Sequence, residues 1–172
     1  MTVVYLGLGA NLGDAPQTLK DAVVCLAQQR ALTVLEKSSL YRTAPIEATG
    51  NDYYNLAVKL DTTLDARTLL LLCQKIEHSF GRERPFHHAP RTLDIDILLY
   101  GDACINEVDL TIPHPRLTER AFALVPLLEI DAALTIPQRG RAEIFLAAVA
   151  NQRIEKMKNP CQCMSNGSCD GV

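Results

Sequence analysis

An α+β fold built on one antiparallel sheet is what the sequence predicts. Short β-branched or alternating apolar runs are interleaved with two amphipathic helical stretches in the order β-α-β-β-α-β, and 172 residues suit a single domain with an extension. Hydrophobic residues make up 48% and charged residues 22%, the balance of a folded soluble protein rather than a disordered one.

Thr2–Gly9 is apolar, β-branched and ended by glycine, so it reads as the first strand. Asp14 and Pro16 mark a helix start, and Leu19, Ala22, Val23, Leu26 and Ala27 then recur at helical spacing. Thr33–Tyr41 reads as the second strand, Arg42–Asp52 as a loop and Tyr53–Leu60 as the third strand. Leu64–Phe80 is a second amphipathic helix with Leu69, Leu72, Cys73 and Ile76 inward and Gly81 as its C-terminal cap. A polar loop, Arg82–Pro90, precedes an alternating strand, Arg91–Tyr100. Two βαβ-type units sharing one antiparallel sheet form the ferredoxin-like arrangement. Beyond it the sequence predicts a turn or strand pair over Gly101–Ile112, a Pro/His loop at Pro113–Pro115, and helices near Thr118–Leu124 and Arg141–Lys158. These additions are expected to place helices on both faces of the sheet. Residues 1–158 form the expected domain, and Asn159–Val172, rich in Asn, Gly, Ser and Cys without apolar period, reads as a disordered tail.

A net charge of −3 excludes a generally basic nucleic-acid coat, and 5% aromatics with no Trp argue against a base-stacking platform. The apolar runs Leu69–Cys73 and Ala121–Leu128 fall far short of the roughly 20 residues of a membrane span. Met1–Asp14 carries no Lys or Arg, and Cys25, Cys73 and Cys104 stand singly among apolar residues, so a reducing cytoplasmic setting is expected. No CxxC pair occurs, and Cys161, Cys163 and Cys169 crowd into the tail.

The chemistry concentrates in Arg91–Tyr100. In a strand, Leu93, Ile95, Ile97 and Leu99 share one face and Asp94 and Asp96 the other. Two anions about 7 Å apart on one face repel, and a cation relieves them. Hard carboxylate oxygens suit Mg²⁺, which completes its shell with water and phosphate. Taken alone, the same pair also suits a solvated strand face whose charges block edge pairing. Upstream, His78–Arg91 holds Arg82, Arg84 and Arg91 against Glu83 alone, a cationic stretch in an acidic chain that polyphosphate would need. The same arginines would also serve a solubilising loop. His87-His88 lacks the spacing of a metal site. Gly7, Gly9 and Gly13 do not fit G-x-G-x-x-G, since position 12 is Leu12, and no P-loop occurs. They read as a tight turn and close helix–strand packing.

With these residues in view, the chain resembles the 6-hydroxymethyl-7,8-dihydropterin pyrophosphokinase family of folate biosynthesis. The resemblance rests on Tyr5–Gly13 (YLGLGANLG), Tyr41–Pro45 (YRTAP) and Ala89–Ile97 (APRTLDIDI), with Asp52–Asn55, Ile112–Pro115 and Pro126–Ile130 in support, and covers roughly residues 2–150. It implies that Asp94 and Asp96 hold two Mg²⁺ ions that grip ATP. It implies that Thr43, Ile46, Tyr53, Asn55 and Phe122 line a pterin pocket, and that Glu77, Arg82, Arg84, Arg91, Ile97, Thr111, His114 and Arg120 contact ATP. Arg82 and Arg91 would offset charge on the transferred group, His114 would bond the leaving phosphate, and Asp96 is the candidate base. On residue type alone, Phe122 equally suits core packing and Glu77 a solvent-facing helix charge. The chain departs from the family with His88-Ala89 where Trp-Gly is frequent, and with Asp109 where some relatives carry Arg. The resemblance implies ATP and the reduced pterin as substrates, and a monomeric cytoplasmic enzyme with no nucleic-acid or membrane partner is expected. Competing readings of the carboxylate pair are a metal-dependent phosphohydrolase and, outside enzymes, a ligand-sensing or RNA-binding module.

Overall fold

The computed structural model describes residues 1–43, 52–81 and 93–157. Side-chain caps open both long helices. Asp14 accepts from the Gln17 N–H at 3.3 Å ahead of α1 (Ala15–Ala27), and Asp65 accepts from the Thr68 N–H at 2.7 Å ahead of α2 (Ala66–Phe80). At the other end of α2, the Gly81 N–H reaches the Glu77 carbonyl at 3.0 Å, but Gly81 is extended (φ −135°) rather than left-handed, so its cap differs from the expected glycine motif.

The strands are β1 (Thr2–Ala10), β2 (Leu32–Lys37), β3 (Tyr41–Thr43), β4 (Tyr53–Thr62) and β5 (Asp94–Tyr100), joined later by the short β10 (Glu155–Lys156). They form one sheet in the order β10-β3-β4-β1-β5, with β2 also on β4, and all pairings are antiparallel. The chain is therefore a mixed helix-and-sheet fold with an antiparallel sheet. Small hairpins β6 (Ile105–Glu107) with β7 (Leu110–Ile112) and β8 (Thr135–Ile136) with β9 (Gly140–Arg141) stand outside it.

Two cores sandwich the sheet. Val4, Leu6, Leu8 and Ala10 of β1, Leu56, Val58 and Leu60 of β4, and Leu93, Ile95 and Ile97 pack with the buried faces of α1 and α2. Tyr5, Ala57, Leu98 and Leu99 pack on the opposite side with α3 (Ala121–Ile130) and the C-terminal turns. Helices thus cover both faces.

Four sequence expectations change. The second strand is broken, because four steps from Lys37 to Tyr41 span only three on β4, from Val58 to Asn55. At the break the Ser38 hydroxyl accepts from the Ala57 N–H and donates to the Ser39 carbonyl, replacing regular ladder bonds. Leu99 leaves the face of Leu93, Ile95 and Ile97, because the register slips between Tyr5↔Leu99 and Leu6↔Ile97 and the bulge at Leu98 reverses the alternation. The helix expected at Thr118–Leu124 begins with a 3₁₀ turn, Leu117–Glu119, and then runs on through Pro126 to Ile130. The helix expected over Arg141–Lys158 is replaced by 3₁₀ turns at Ala142–Phe145 and Ala147–Val149, followed by β10. Gln152 caps α3 instead: its Oε1 accepts from the Ala121 N–H and its Nε2 donates to the Glu119 carbonyl. The tail Asn159–Val172, the stretch Arg82–Pro90 and residues 44–51 of the expected loop Arg42–Asp52 lie outside the described residues, while Arg42 and Thr43 belong to β3.

Candidate active site

Alternation along three adjacent strands assembles the site. Residues directly opposite in an antiparallel pair share a face, and the register sets Asn55 on β4 opposite Gly9 on β1, and Gly9 opposite Asp94 on β5. The next row on that face is Ala57, Gly7 and Asp96. Carboxylates therefore line one side of a glycine floor and Asn55 the other. Tyr41↔Asn55 and Thr43↔Tyr53 extend the same face onto β3.

Gly7 and Gly9 lie within β1, as the expected strand Thr2–Gly9 has them, and Gly13 is the turn residue, with φ +58°. A Cβ on Gly9 would lie 2.8 Å from Asn55 Oδ1, and one on Gly7 would lie 3.2 Å from Leu98 Cδ1. Glycine at 9 lets the Asn55 amide lie across β1. Asn55 is only 7% exposed, and its Nδ2 is buried without a hydrogen-bond partner. A buried unpartnered donor is costly, and an acceptor from water or a ligand relieves that cost. Asn11, which follows β1, likewise has a buried unpartnered Oδ1. The sequence reading assigned it no role.

Asp94 and Asp96 are half-buried on β5, at one edge of the sheet. The edge position meets the condition for a purely solvated carboxylate face, but the surrounding groups converge on it. His114 donates its backbone N–H to the Leu98 carbonyl at 3.0 Å, two residues beyond Asp96. Its Nδ1 accepts from the Arg116 N–H at 3.1 Å, so the neutral ring carries its proton on Nε2. Burial pushes the imidazole below its ordinary value, Asp96 opposes that shift, and Arg120 and Arg116 reinforce it. Burial pushes the Cys73 thiol of α2 up to about 12, with Glu77 and Asp96 adding to the shift. Both carboxylates therefore act on one thiol, and Glu77 is half-buried rather than the fully solvated charge that its residue type also allowed.

The remaining expected residues fall in three groups. Thr43, Tyr53 and Asn55 share the site face, and Tyr53 is 40% exposed at its rim. Phe122 begins α3 half-buried, with the Arg120 guanidinium 5.3 Å from its ring centroid. Thr111 lies on β7, whose hairpin is tied to α2 through Arg67, which pairs with Glu107 and, at 2.6 Å, with Asp109. Asp109, one of the departures from the family pattern, is thus committed to Arg67, which holds its carboxyl below the usual range. Ile97 is 5% exposed with its side chain in the first core, so only its backbone is left for a ligand. Ile46, Arg82, Arg84 and Arg91 lie outside the described residues. Among the described residues no group of three or more His, Cys, Asp or Glu side chains is arranged to hold a metal. Two carboxylates on one strand face nevertheless match the one or two that Mg²⁺ takes beside phosphate oxygens. No helix among the described residues is long and apolar enough to cross a membrane.

A carboxylate pair and a buried amide thus face one another across the glycine floor of one sheet face. The model of the 7,8-dihydro-6-hydroxymethylpterin-pyrophosphokinase (HPPK) family matches residues 5–132, and the chain belongs to that family. A Bacillus subtilis protein named 2-amino-4-hydroxy-6-hydroxymethyldihydropteridine pyrophosphokinase is 43% identical over 129 residues, 74% of this chain and 77% of the relative. A Methylorubrum extorquens protein of the same name is 44% identical over 137 residues, 79% of this chain and 87% of the relative. Among solved structures, an HPPK-DHPS in complex with substrates matches with a TM-score of 0.69 at 13% identity, over 86% of this chain and 43% of that one. Plasmodium falciparum HPPK-DHPS wild type matches with a TM-score of 0.66 at 14% identity, over 85% and 40%. The chain spans less than half the length of these solved chains, and the likeness to them is one of fold.

Proposed function

We propose that this chain transfers diphosphate from ATP to the hydroxymethyl oxygen of 6-hydroxymethyl-7,8-dihydropterin and releases AMP, a step of folate biosynthesis. Beside family membership, the observation that carries the reading is the row Asn55–Gly9–Asp94, with its buried unpartnered amide donor facing the site. A pterin edge offers donors and acceptors side by side, which an amide meets with both of its atoms. Tyr53 and Phe122 sandwich the ring, and Thr43 and Ile46 close its edge.

Asp94 and Asp96 would hold Mg²⁺, in two ions, and the metal would supply charge neutralisation for the triphosphate. The chain's own groups do the positioning. His114 donates its Nε2–H to a phosphate oxygen. Arg82, Arg84, Arg91 and Arg120 offset phosphate charge, Glu77 and Thr111 bind the nucleotide, and Ile97 presents its backbone to it. The pterin hydroxyl oxygen attacks the β-phosphorus. The new O–P bond forms as the bond to the α,β-bridging oxygen breaks, that oxygen keeps the electron pair as part of AMP, and the hydroxyl gives up its proton, with Asp96 the candidate base. The sheet order supports a ferredoxin-like core, with β2 and β3 together as its second strand. We assign residues 1–158 to the catalytic domain and 159–172 to a tail, in a monomeric cytoplasmic enzyme.

The test is incubation with ATP, Mg²⁺ and the reduced pterin alcohol, with products resolved by chromatography. AMP should rise in step with pterin diphosphate. ADP with a pterin monophosphate would mean γ-transfer, and inorganic phosphate without pterin dependence would mean hydrolysis.

A further inference from the structure

In the pterin-pocket reading, Thr43 on β3 and Phe122 on α3 supply two of the walls, from elements with no backbone ladder between them. One carboxylate joins these elements. Glu129 Oε1 accepts from the Tyr41 hydroxyl at 2.5 Å, and Glu129 Oε2 accepts from the Ser39 N–H at 2.6 Å. Lys156 Nζ lies 3.5 Å from Oε1, bringing β10 to the same point. Phe122 and Glu129 are seven residues apart on α3, so they lie on one stripe of the helix. Tyr41 is 5% exposed, directly opposite Asn55 in the register, and two residues before Thr43 on the same strand face.

We propose that Glu129 is a positioning residue for the pterin site: through Tyr41 and Ser39 it fixes the spacing between the Thr43–Asn55 wall and the Phe122 wall. The inference rests on the pterin-pocket reading above. The choice of side chain fits the task. Two donors, a phenol and a backbone N–H, converge on the two oxygens, and only a carboxylate accepts at both; Gln would turn an N–H₂ toward one of them. Burial alone would push the Glu129 carboxyl up, but the Tyr41 and Ser39 donors and the Lys156 charge hold it below the usual range, so it stays ionised. Burial and Glu129 push the Tyr41 phenol well above its ordinary value, so it stays a donor. Such charge-assisted bonds outweigh an exposed ion pair. Two of the sequence stretches that carry the family resemblance, Tyr41–Pro45 and Pro126–Ile130, meet at this contact.

The test compares Glu129→Gln, Tyr41→Phe and the double variant, each in the full chain. Calorimetry gives the affinity for 6-hydroxymethylpterin in the presence of α,β-methylene-ATP, and separately for that nucleotide, with melting curves alongside. Each single variant should weaken pterin binding roughly tenfold, as loss of one charge-assisted bond implies, while nucleotide affinity stays within about twofold. The double variant should be no worse than the poorer single, because both cut one link. Unchanged pterin affinity in the folded variants overturns the inference, as does an equal fall in nucleotide affinity, which would mark a general structural role. If Glu129→Gln fails to fold, Tyr41→Phe, which keeps the ring and removes only the donor, reads the same link. Failure of the pterin reading itself shows in the unmodified chain, as nucleotide binding without pterin binding, and overturns the inference with it.

Discussion

Replacing Gly9 by Ala should separate binding from folding. The new Cβ would sit 2.8 Å from Asn55 Oδ1, against the 3.4 Å at which ordinary contact begins, so the amide must move by about 0.6 Å. Asn55 is 7% exposed and has little room to do so. Gly9 is not among the positive-φ glycines, so Ala meets no backbone strain there. Its reduced freedom in the unfolded chain favours folding by about 0.4–1 kcal/mol. Overpacking costs about 1–3 kcal/mol, so the net loss of stability should stay within about 2–3 kcal/mol. Binding should suffer more selectively. Displacing an amide that both donates and accepts removes about two hydrogen bonds of roughly 1 kcal/mol each and leaves buried groups unmet, for a total near 2–3 kcal/mol, or about 30- to 150-fold in pterin affinity. Calorimetric titration of 6-hydroxymethylpterin, with melting curves and a parallel nucleotide titration, checks this. Gly7→Ala is the comparison: its Cβ would meet only the tip of Leu98 at 3.2 Å, which can give. Pterin affinity unaltered in a folded Gly9→Ala protein would refute the placing of Asn55 in the pocket.

Asp94→Asn and Asp96→Asn should each lower turnover about 100-fold or more at ordinary magnesium, as loss of a metal-ligating carboxylate predicts, with melting within a few degrees of the unmodified chain; steady-state rates near normal in both variants would remove the metal assignment. Arg82→Ala should slow a single turnover more than it weakens nucleotide binding, because a charge-offsetting group acts mainly in the transition state; lost affinity at an unchanged rate would make it a binding residue only. A chain ending at Lys158 should keep full activity and melting temperature, and stoichiometric zinc in the full chain that disappears on truncation would give Cys161, Cys163 and Cys169 a role instead.

The sequence carried the element order and the carboxylate face well, because period two and period 3.6 are local signals. Asp94 and Asp96 share a face because of their spacing, and no tertiary contact alters that. The meaning of Gly7 and Gly9 was not local. Their place in a strand was legible, but only the register sets Gly9 between Asn55 and Asp94 and Gly7 between Ala57 and Asp96, and pairing partners cannot be read from one strand. The C-terminal region misled for a related reason. Arg141–Lys158 has helical composition, yet Gln152 spends its side chain on the ends of neighbouring elements, and Glu155 and Lys156 pair with β3. Tertiary partners there override a weak propensity. The helix expected near Thr118–Leu124 runs further than that: Pro126 withholds only the N–H that the Phe122 carbonyl would have received, and the burial of Leu124 and Leu127 carries the helix past it.

The bulge in β5 shows how one strand serves both the site and the core. Up to Ile97 the strict alternation keeps Asp94 and Asp96 on the site face and the isoleucines on the helical core. A regular strand would have continued that pattern and returned Leu99 to the first core. Inserting Leu98 without an opposite residue instead turns both Leu98 and Leu99 toward α3, so the row of carboxylates ends against an apolar wall. The inserted residue has a further consequence. Its carbonyl, taken out of the β1 register, accepts the His114 N–H, and this attaches the imidazole beside Asp96. A shift of one residue would place the leucines and the carboxylates on the wrong faces, so the bulge sets the end of the carboxylate face, the wall behind it and the histidine beside it together.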